Sequence, residues 1–182
     1  MEIEWIRKEA ATHGVPILRA SIARVRMPDC PGADAFYGKL AAALADYVDR
    51  LAEERTEAFA GLTRRERASF FAQTLTVSAS LTWEDADVFS TLVTFSLSDK
   101  TGELRRYRFG QIFERASGLL LSPRTLTHAK LPRGPLEGYL DERGLVLIEC
   151  RKTDETEEME RVYPLRERKV RRFFDESACN RI

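Results

Sequence analysis

The stretch TLTVSASLTW, residues 74–83, alternates between two classes of side chain without interruption. Apolar side chains take the odd positions and small hydroxyl side chains take the even positions. Successive side chains of a strand point to opposite faces of a sheet, so the stretch predicts a strand with one buried face and one face of hydroxyls. The run VFSTLVTFSLS at 88–98 largely repeats the alternation. We therefore expect two neighbouring strands to share the hydroxyl face.

Short polar segments connect this pair of strands to its neighbours. EDAD at 84–87 predicts the turn between the two strands, and DKTG at 99–102 predicts a hairpin loop whose glycine can take a positive φ. The return strand, ELRRYRFG, places Arg106 and Arg108 on the face opposite Tyr107. A meander of three antiparallel strands follows from these two turns.

Upstream of the meander, the sequence predicts a strand at 16–27 and then a long helix. The proline- and glycine-rich PDCPGAD separates them, and Asp34 is a suitable N-cap. From 35 to about 59, apolar residues recur at steps of three and four, which predicts an amphipathic helix. Its apolar stripe consists of Phe36, Leu40, Leu44, Tyr47, Val48 and Leu51. Packing this stripe on the apolar faces of the strands leaves the hydroxyl rows facing outward.

The C-terminal third predicts further antiparallel pairing. DERG at 141–144 reads as a hairpin turn, followed by a continuous apolar run at 145–148 that should be well covered. Before it, Gly118 predicts a chain reversal that leads into a buried segment at 119–121. The charged run at 151–161 reads as a loop or edge excursion. The segment VYPLRERKVRRFFDE at 162–176 can form a short terminal helix in which Leu165, Val170, Phe173 and Phe174 share one face and the other face is basic.

These elements predict an α+β fold: a curved antiparallel sheet of meander and hairpins, with one long helix packed on one face and a short C-terminal helix. We expect the whole chain, 1–182, to be a single domain. Its core spans 16–174, after a polar lead-in at 1–15 and before a tail at 175–182. Because the helix covers one face of the sheet, we also expect no cleft that could hold a catalytic site.

The composition limits the classes of partner. The chain has 29 basic and 29 acidic residues, so the zero net charge gives no general attraction to nucleic acid or to an anionic membrane. No apolar run has the length of a signal peptide or of a bilayer span, which favours a cytoplasmic protein. Three widely separated cysteines indicate reduced thiols rather than disulfides. We expect a monomer or weak homodimer with an unknown protein partner, no nucleic acid and no membrane.

Motifs for catalysis are missing from the sequence. The two histidines have no neighbours at metal-ligand or triad spacing, and the acidic runs at 84–87 and 154–160 lack the pattern of a calcium loop. We therefore predict no catalytic residue, no metal and no cofactor, and a protein that is not an enzyme. Arginines cluster at three places, from which we select a candidate anion-binding set: Arg106, Arg108, Arg168 and Arg172.

The order of several segments resembles a bacterial domain family found in the extracellular part of lysozyme-sensing anti-sigma factors and beside peptidoglycan deacetylase domains. The segments are AFYGKLAAALADYV, FSLSDKTGEL, YRFGQIFERASGLLLSPRTL, GYLDERGLVLIEC and VYPLRERKVRRFF. The resemblance implies a helix crossing a curved antiparallel sheet. It also implies a role in binding or sensing at the cell wall. Family members often carry Gly-Gly-x-His before the hairpin, where this chain has EDADVFS.

Three functional hypotheses follow. The first is a non-enzymatic interaction domain that binds another protein through the exposed sheet face of Thr76, Ser78, Thr94 and Ser96, or through a sheet edge. The second is a cell-wall module that binds peptidoglycan or lysozyme, which would need exposed aromatic residues. The third is a hydrolase with a dispersed acidic site, which would need a pocket that converges on carboxylates or on His128.

Overall fold

A computed structural model describes residues 1–134, 136–150 and 158–165 of the chain. Within these ranges the chain forms eight strands, one long helix and two short helices. The elements are β1 (Glu2–Thr12), β2 (Val15–Arg26), α1 (Pro31–Ala60), α2 (Arg64–Ala68), β3 (Gln73–Glu84), β4 (Val88–Asp99), β5 (Gly102–Glu114), α3 (Pro123–Leu126), β6 (Glu137–Asp141), β7 (Gly144–Cys150) and β8 (Glu158–Tyr163).

The strands form two sheets, one of five strands in the order β1-β2-β3-β4-β5 and one of three strands in the order β6-β7-β8. The α+β class is confirmed. The chain divides into two compact units, the first made of residues 1–80 and 93–108 and the second of residues 81–92 and 109–182. No helix within the described ranges is both long and apolar enough to cross a membrane.

One pair of strands corrects the prediction of an antiparallel sheet. β2 and β3 run parallel, from Leu18 opposite Gln73 to Ile22 opposite Val77, so the five-stranded sheet is mixed. Parallel neighbours need a crossover connection, and α1 provides it between β2 and β3. The sequence predicted the helix correctly. It did not indicate that the chain returns beside β2 in the same direction.

The polar lead-in is a strand. Residues 2–12 form β1, which pairs antiparallel with β2 through a tight turn in which His13 and Gly14 both have positive φ. Lys8 joins this strand to the helix: its Nζ donates to the backbone oxygen of Ala45 at 3.2 Å and lies 2.6 Å from the Asp49 carboxylate. The polar composition of β1 fits an edge strand, which has water on one side.

Helix α1 starts earlier than the sequence predicted. It begins at Pro31, a residue whose missing N–H suits the first turn, and Cys30 takes the N-cap position. The predicted N-cap, Asp34, lies inside the first turn. Its Oδ1 accepts from the Met27 backbone N–H at 2.9 Å and from Arg26 Nε at 3.0 Å, so this carboxylate connects the helix to the end of β2.

The buried stripe of α1 is rotated relative to the predicted one. Most of the predicted stripe is only half-buried, and the fully buried members are Ala33, Tyr37, Ala41, Val48 and Phe59. Small alanines on the line of contact let the helix approach its neighbours closely. The predicted packing on the apolar side of the strands is present, since the ring of Tyr47 meets that of Phe95 in β4 edge to face at 6.0 Å.

The two predicted hairpin loops are confirmed. β4 and β5 are joined through Gly102 at φ 132°, and β6 and β7 through Gly144 at φ 125°. These are conformations that glycine adopts without strain. The apolar run at 145–148 is buried along its whole length, as predicted.

Two predictions for the C-terminal third need correction. β5 continues to Glu114, and Gly118 then reverses the chain so that Leu120 bridges Phe113. Leu119 and Leu120 are more than half exposed rather than buried, because they follow this reversal at the surface. The predicted terminal helix lies within 162–176. Val162 and Tyr163 belong instead to β8, and residues 166–176 lie outside the described part of the chain.

A close backbone contact organises the second unit. A Cβ placed on Gly110 of β5 would lie 2.4 Å from the backbone oxygen of Gly138 in β6. Beside this contact, the buried Ser90 hydroxyl accepts from the Leu140 backbone N–H at 2.8 Å and donates to the backbone oxygen of Gln111 at 3.2 Å. An apolar cluster completes the core, formed by Val88, Ile112, Leu126, Leu140, Leu145 and Leu147.

Candidate functional site

The predicted hydroxyl face is less open than the sequence indicated. Thr76 and Ser78 of β3 and Thr94 and Ser96 of β4 are all half-buried. Ser96 donates from its hydroxyl to the carboxylate of Glu103 in β5 at 2.9 Å. The four residues keep the strand alternation that was predicted, but they offer little free surface to a partner.

The predicted anion-binding set is only partly described. Arg106 is exposed and Arg108 is half-buried, both on β5, an edge of the five-stranded sheet. Arg168 and Arg172 lie outside the described residues.

The other edge of the sheet, β1, carries the most exposed aromatic residue of the described chain. Trp5 is 48% exposed, and Ile3, two residues before it on the same face, is exposed as well. Their partners on β2, Ala23 and Val25, are buried. Among the described strands only β2 pairs with β1, so the outer backbone groups of β1 are free to pair with another chain.

A groove of about 420 Å³ lies in the first unit, where the end of α1 meets α2 and the β4–β5 hairpin. Its size is within the range of small-ligand pockets in proteins. Both apolar and charged side chains line it: Arg55, Leu62, Arg65, Glu66, Ser69, Phe70, Phe71 and Asp99.

Arg55 is the central charged group of the groove. Its guanidinium lies 4.4 Å above the ring of Phe70, and its Nη2 donates to the backbone oxygen of Phe71 at 2.9 Å. Its Nε is buried without a hydrogen-bond partner in the described part of the chain. Burial lowers the pKa of Arg55, and the charge of Asp99 only partly offsets that effect.

Two other cations lie on aromatic rings beside the groove. The Lys100 ammonium is 3.3 Å from the centroid of Phe71, and the Arg67 guanidinium is 5.2 Å from that of Phe59. Phe59 in turn meets Phe70 edge to face at 5.0 Å. Three cations of this unit thus each lie on an aromatic ring, an arrangement in which the cation is attracted by the ring face.

The two carboxylates of the groove are engaged with their own neighbours. Glu66 accepts from the hydroxyl and the backbone N–H of Thr63, which forms the capping box of α2. Asp99 accepts from the hydroxyl and backbone N–H of Thr101 in the hairpin loop. In both cases these hydrogen bonds lower the pKa of the carboxyl group, so both remain ionised near neutral pH.

The sequence predicted no cleft, and this groove corrects that expectation, although the sequence held a signal for it. Arg55 comes seven residues after Val48 and four before Phe59, and so occupies a position on the buried stripe of α1. A charged residue at such a position breaks the helix pattern, and violations of that kind often mark functional sites. No group of three or more histidine, cysteine, aspartate or glutamate side chains suited to a metal occurs among the described residues.

Comparisons with known proteins give no further guidance. No protein-family model matches the chain, and no curated protein matches it significantly.

Proposed function

We propose that this chain is a non-enzymatic binding domain that engages another protein through strand β1. The observation that carries the proposal is the exposed edge of the five-stranded sheet, with Trp5 projecting beside eleven residues of strand backbone. An added strand of a partner would gain backbone hydrogen bonds from such an edge and specificity from the alternating side chains.

The edge is a better candidate than the hydroxyl face. Trp5 is exposed, whereas Thr76, Ser78, Thr94 and Ser96 are half-buried. Large aromatic side chains contribute more to protein interfaces than serine and threonine do. β1 also carries five charged residues of both signs, which limits unspecific aggregation of an open edge and favours a partner with matching charges.

The state of the groove carboxylates also supports a binding domain rather than a hydrolase. A general acid at neutral pH needs a raised pKa, and the pKa values of Glu66 and Asp99 are lowered by hydrogen bonds. These two groups are therefore unsuited to donate a proton to a leaving group.

A photo-crosslinking amino acid at position 5 would test the proposal in cells of the native host. We expect a covalent adduct with one partner protein, identified by mass spectrometry. Leu104 provides the matched control position, because it is also 48% exposed and lies on the opposite edge strand, β5.

Affinity measurements with the partner then test the role of the edge. Trp5→Lys should weaken binding roughly tenfold or more, as expected when an exposed aromatic anchor is replaced, while Leu104→Lys should leave it unchanged. Equal loss in both variants, or adducts formed equally at both positions, would contradict a site on β1.

A second candidate is the cell-wall module implied by the family resemblance. It is favoured by the exposure of Tyr107 on β5 in addition to Trp5 on β1. These rings lie on opposite edges of a five-stranded sheet, about 19 Å apart at the usual strand spacing, so they would serve as two separate contacts.

Co-sedimentation with insoluble peptidoglycan, and binding to immobilised lysozyme, test this second candidate. Retention of the wild type that is lost in Trp5→Ala and Tyr107→Ala, but kept in Leu104→Ala, would support it. A wild type that stays in the supernatant and does not bind lysozyme would exclude it.

A further inference from the structure

We propose that the groove around Arg55, Phe70 and Phe71 binds a monoanionic carboxylate that carries an aromatic or similarly apolar body. This site lies on the end of α1 and the β4–β5 hairpin and is independent of the partner surface proposed on β1.

The cation at the centre of the groove has unused capacity for hydrogen bonding. A guanidinium has five N–H donors in a planar fork, and Arg55 uses one of them, towards the Phe71 backbone oxygen. The guanidinium carbon lies over the ring of Phe70, 4.4 Å from its centroid, and this contact restricts the side chain. A carboxylate matches this fork geometrically, and a preorganised arginine loses little entropy when it binds one.

The partial desolvation of Arg55 favours the binding of such a carboxylate. Arg55 occupies a stripe position on α1 that is otherwise filled by Val48 and Phe59, and its Nε has no partner among the described residues. A partly buried charge without full compensation raises the free energy of the empty site. An anion in the groove would supply the missing negative charge and would pair with the Nη groups of the guanidinium, while Nε stays buried.

The apolar side chains that line the groove favour a ligand with an apolar part. Leu62, Phe70 and Phe71 line the groove, and Phe71 is 42% exposed. Lys100 covers one face of Phe71, so a small aromatic ring would lie against the exposed remainder of Phe71 while its carboxylate pairs with Arg55. Inorganic anions lack such a body and would leave these walls exposed to water.

The local charges favour one negative charge over two. The lining itself holds two arginines, Arg55 and Arg65, and two carboxylates, Glu66 and Asp99, while Lys100 and Arg67 beside it each lie on a ring. Both carboxylates are bound by Thr63 and Thr101, which hold them in place. A dianion such as phosphate would meet repulsion from these two fixed carboxylates, which a monoanion paired with Arg55 meets less.

Phenylacetate is the probe for this site, and phenylacetamide is its uncharged control of the same shape. We expect phenylacetate to shift the backbone amide signals of Arg55 and Phe71 in a 15N–1H correlation spectrum of the full chain. For a ligand of this size the dissociation constant should be on the order of 0.1–10 mM. Phenylacetamide should bind at least about tenfold more weakly, since it lacks the charge-assisted pairing with the guanidinium.

Substitutions of Arg55 distinguish the role of its planar guanidinium from that of its positive charge alone. Arg55→Met should abolish saturable shifts, and Arg55→Lys should retain only weak binding. Arg50→Met is the matched control, because Arg50 is exposed on another face of the same helix and should leave the affinity unchanged. Phe71→Ala removes an exposed ring with little effect on folding and should lower the affinity several-fold, which keeps the test valid if Arg55 variants fold poorly.

Specific results would overturn the inference. Equal binding of phenylacetate and phenylacetamide would show that the charge is irrelevant. Shifts confined to residues outside the groove, or the same affinity in wild type, Phe71→Ala and Arg55→Met, would exclude this site. None of these results bears on the β1 edge, whose test uses Trp5 and Leu104.

Discussion

The guanidinium of Arg55 lies 4.4 Å above the ring of Phe70, on a face of α1 that is otherwise apolar. The contact lets a charged side chain occupy a stripe position, because the ring and the Phe71 backbone oxygen replace part of the lost water. It also fixes the segment after α2 against the end of α1. The position of the groove therefore depends on this pair.

A double-mutant cycle should detect the coupling between these two side chains. We expect Arg55→Met and Phe70→Leu to be non-additive by about 0.5–1 kcal/mol in the free energy of unfolding, the usual size of a partly exposed cation–π contact. Urea denaturation of the four proteins measures it. The cycle of Arg50→Met with Phe70→Leu is the control, and it should be additive; coupling of equal size there would contradict the contact.

Ser90 should be more important for stability than its small size indicates. It is fully buried, and its hydroxyl is the acceptor for the Leu140 N–H at 2.8 Å. Ser90→Ala leaves that donor without a partner, so we expect a loss of about 1–3 kcal/mol in urea denaturation. Ser98→Ala, which removes an exposed hydroxyl bonded to the Thr74 oxygen at 3.4 Å, should change stability by less than about 0.5 kcal/mol. Similar losses in both variants would contradict the assigned role.

The same substitution should have opposite effects at two glycines. At Gly110 the new methyl group would meet backbone atoms of Gly138 at 2.4 Å, so Gly110→Ala should destabilise the protein by about 1–3 kcal/mol or more. At Gly38, inside α1, nothing lies within 4 Å of the new atom. Gly38→Ala should therefore stabilise the helix by about 0.5–1 kcal/mol. Thermal unfolding measures whether each substitution raises or lowers the stability. A stabilised Gly110→Ala would show that the backbones at Gly110 and Gly138 do not approach so closely.

Asp85 should give the protein a measurable dependence on acid. Burial raises the pKa of Asp85, but hydrogen bonds from Trp83 Nε1 and from the backbone N–H groups of Val88 and Asp87 lower it more, so the net shift is downward. A lowered pKa in the folded state stabilises the protein fully above the unfolded value of about 3.9. That stabilisation is lost as the pH falls through the folded value.

Asp85→Asn should therefore cost about 1–2 kcal/mol at pH 7, because an amide NH2 would face the Trp83 N–H and the site is partly exposed to solvent. The difference from wild type should shrink in urea denaturation between pH 4 and pH 2.5, roughly the range below the unfolded pKa. Asp87→Asn is the control, since only the backbone of Asp87 takes part in this turn. A difference that stays constant with pH would contradict the role of the carboxylate.

Local patterns predicted most of the individual elements. The alternation of β3 and β4, the spacing of α1 and the glycines of the two hairpin loops each depend on a few consecutive residues, and each led to the correct element. The parallel pairing of β2 with β3 depends on where the chain returns after a helix of thirty residues. No short pattern contains that information.

The residues that meet to form the groove could not be predicted from the sequence, for the same reason. Phe70 and Phe71 follow a five-residue helix, and Lys100 belongs to a hairpin loop distant in sequence from Arg55. Each of these three residues taken alone reads as an ordinary surface or core position. The charge of Arg55 at a stripe position of α1 is a signal in the sequence, but the rings that surround it are known only from the fold.

The crossover through α1 also has a consequence for how the chain assembles. The β1–β2 hairpin and the β3–β4–β5 meander contain mostly short-range contacts, and each can form early. Their junction, from Leu18 opposite Gln73 to Ile22 opposite Val77, closes a loop of about fifty residues, with an entropic cost that the docked helix must repay. The rate-limiting event in folding should thus be the docking of α1 across this junction, and substitutions at Tyr47 should slow it more than substitutions within either hairpin.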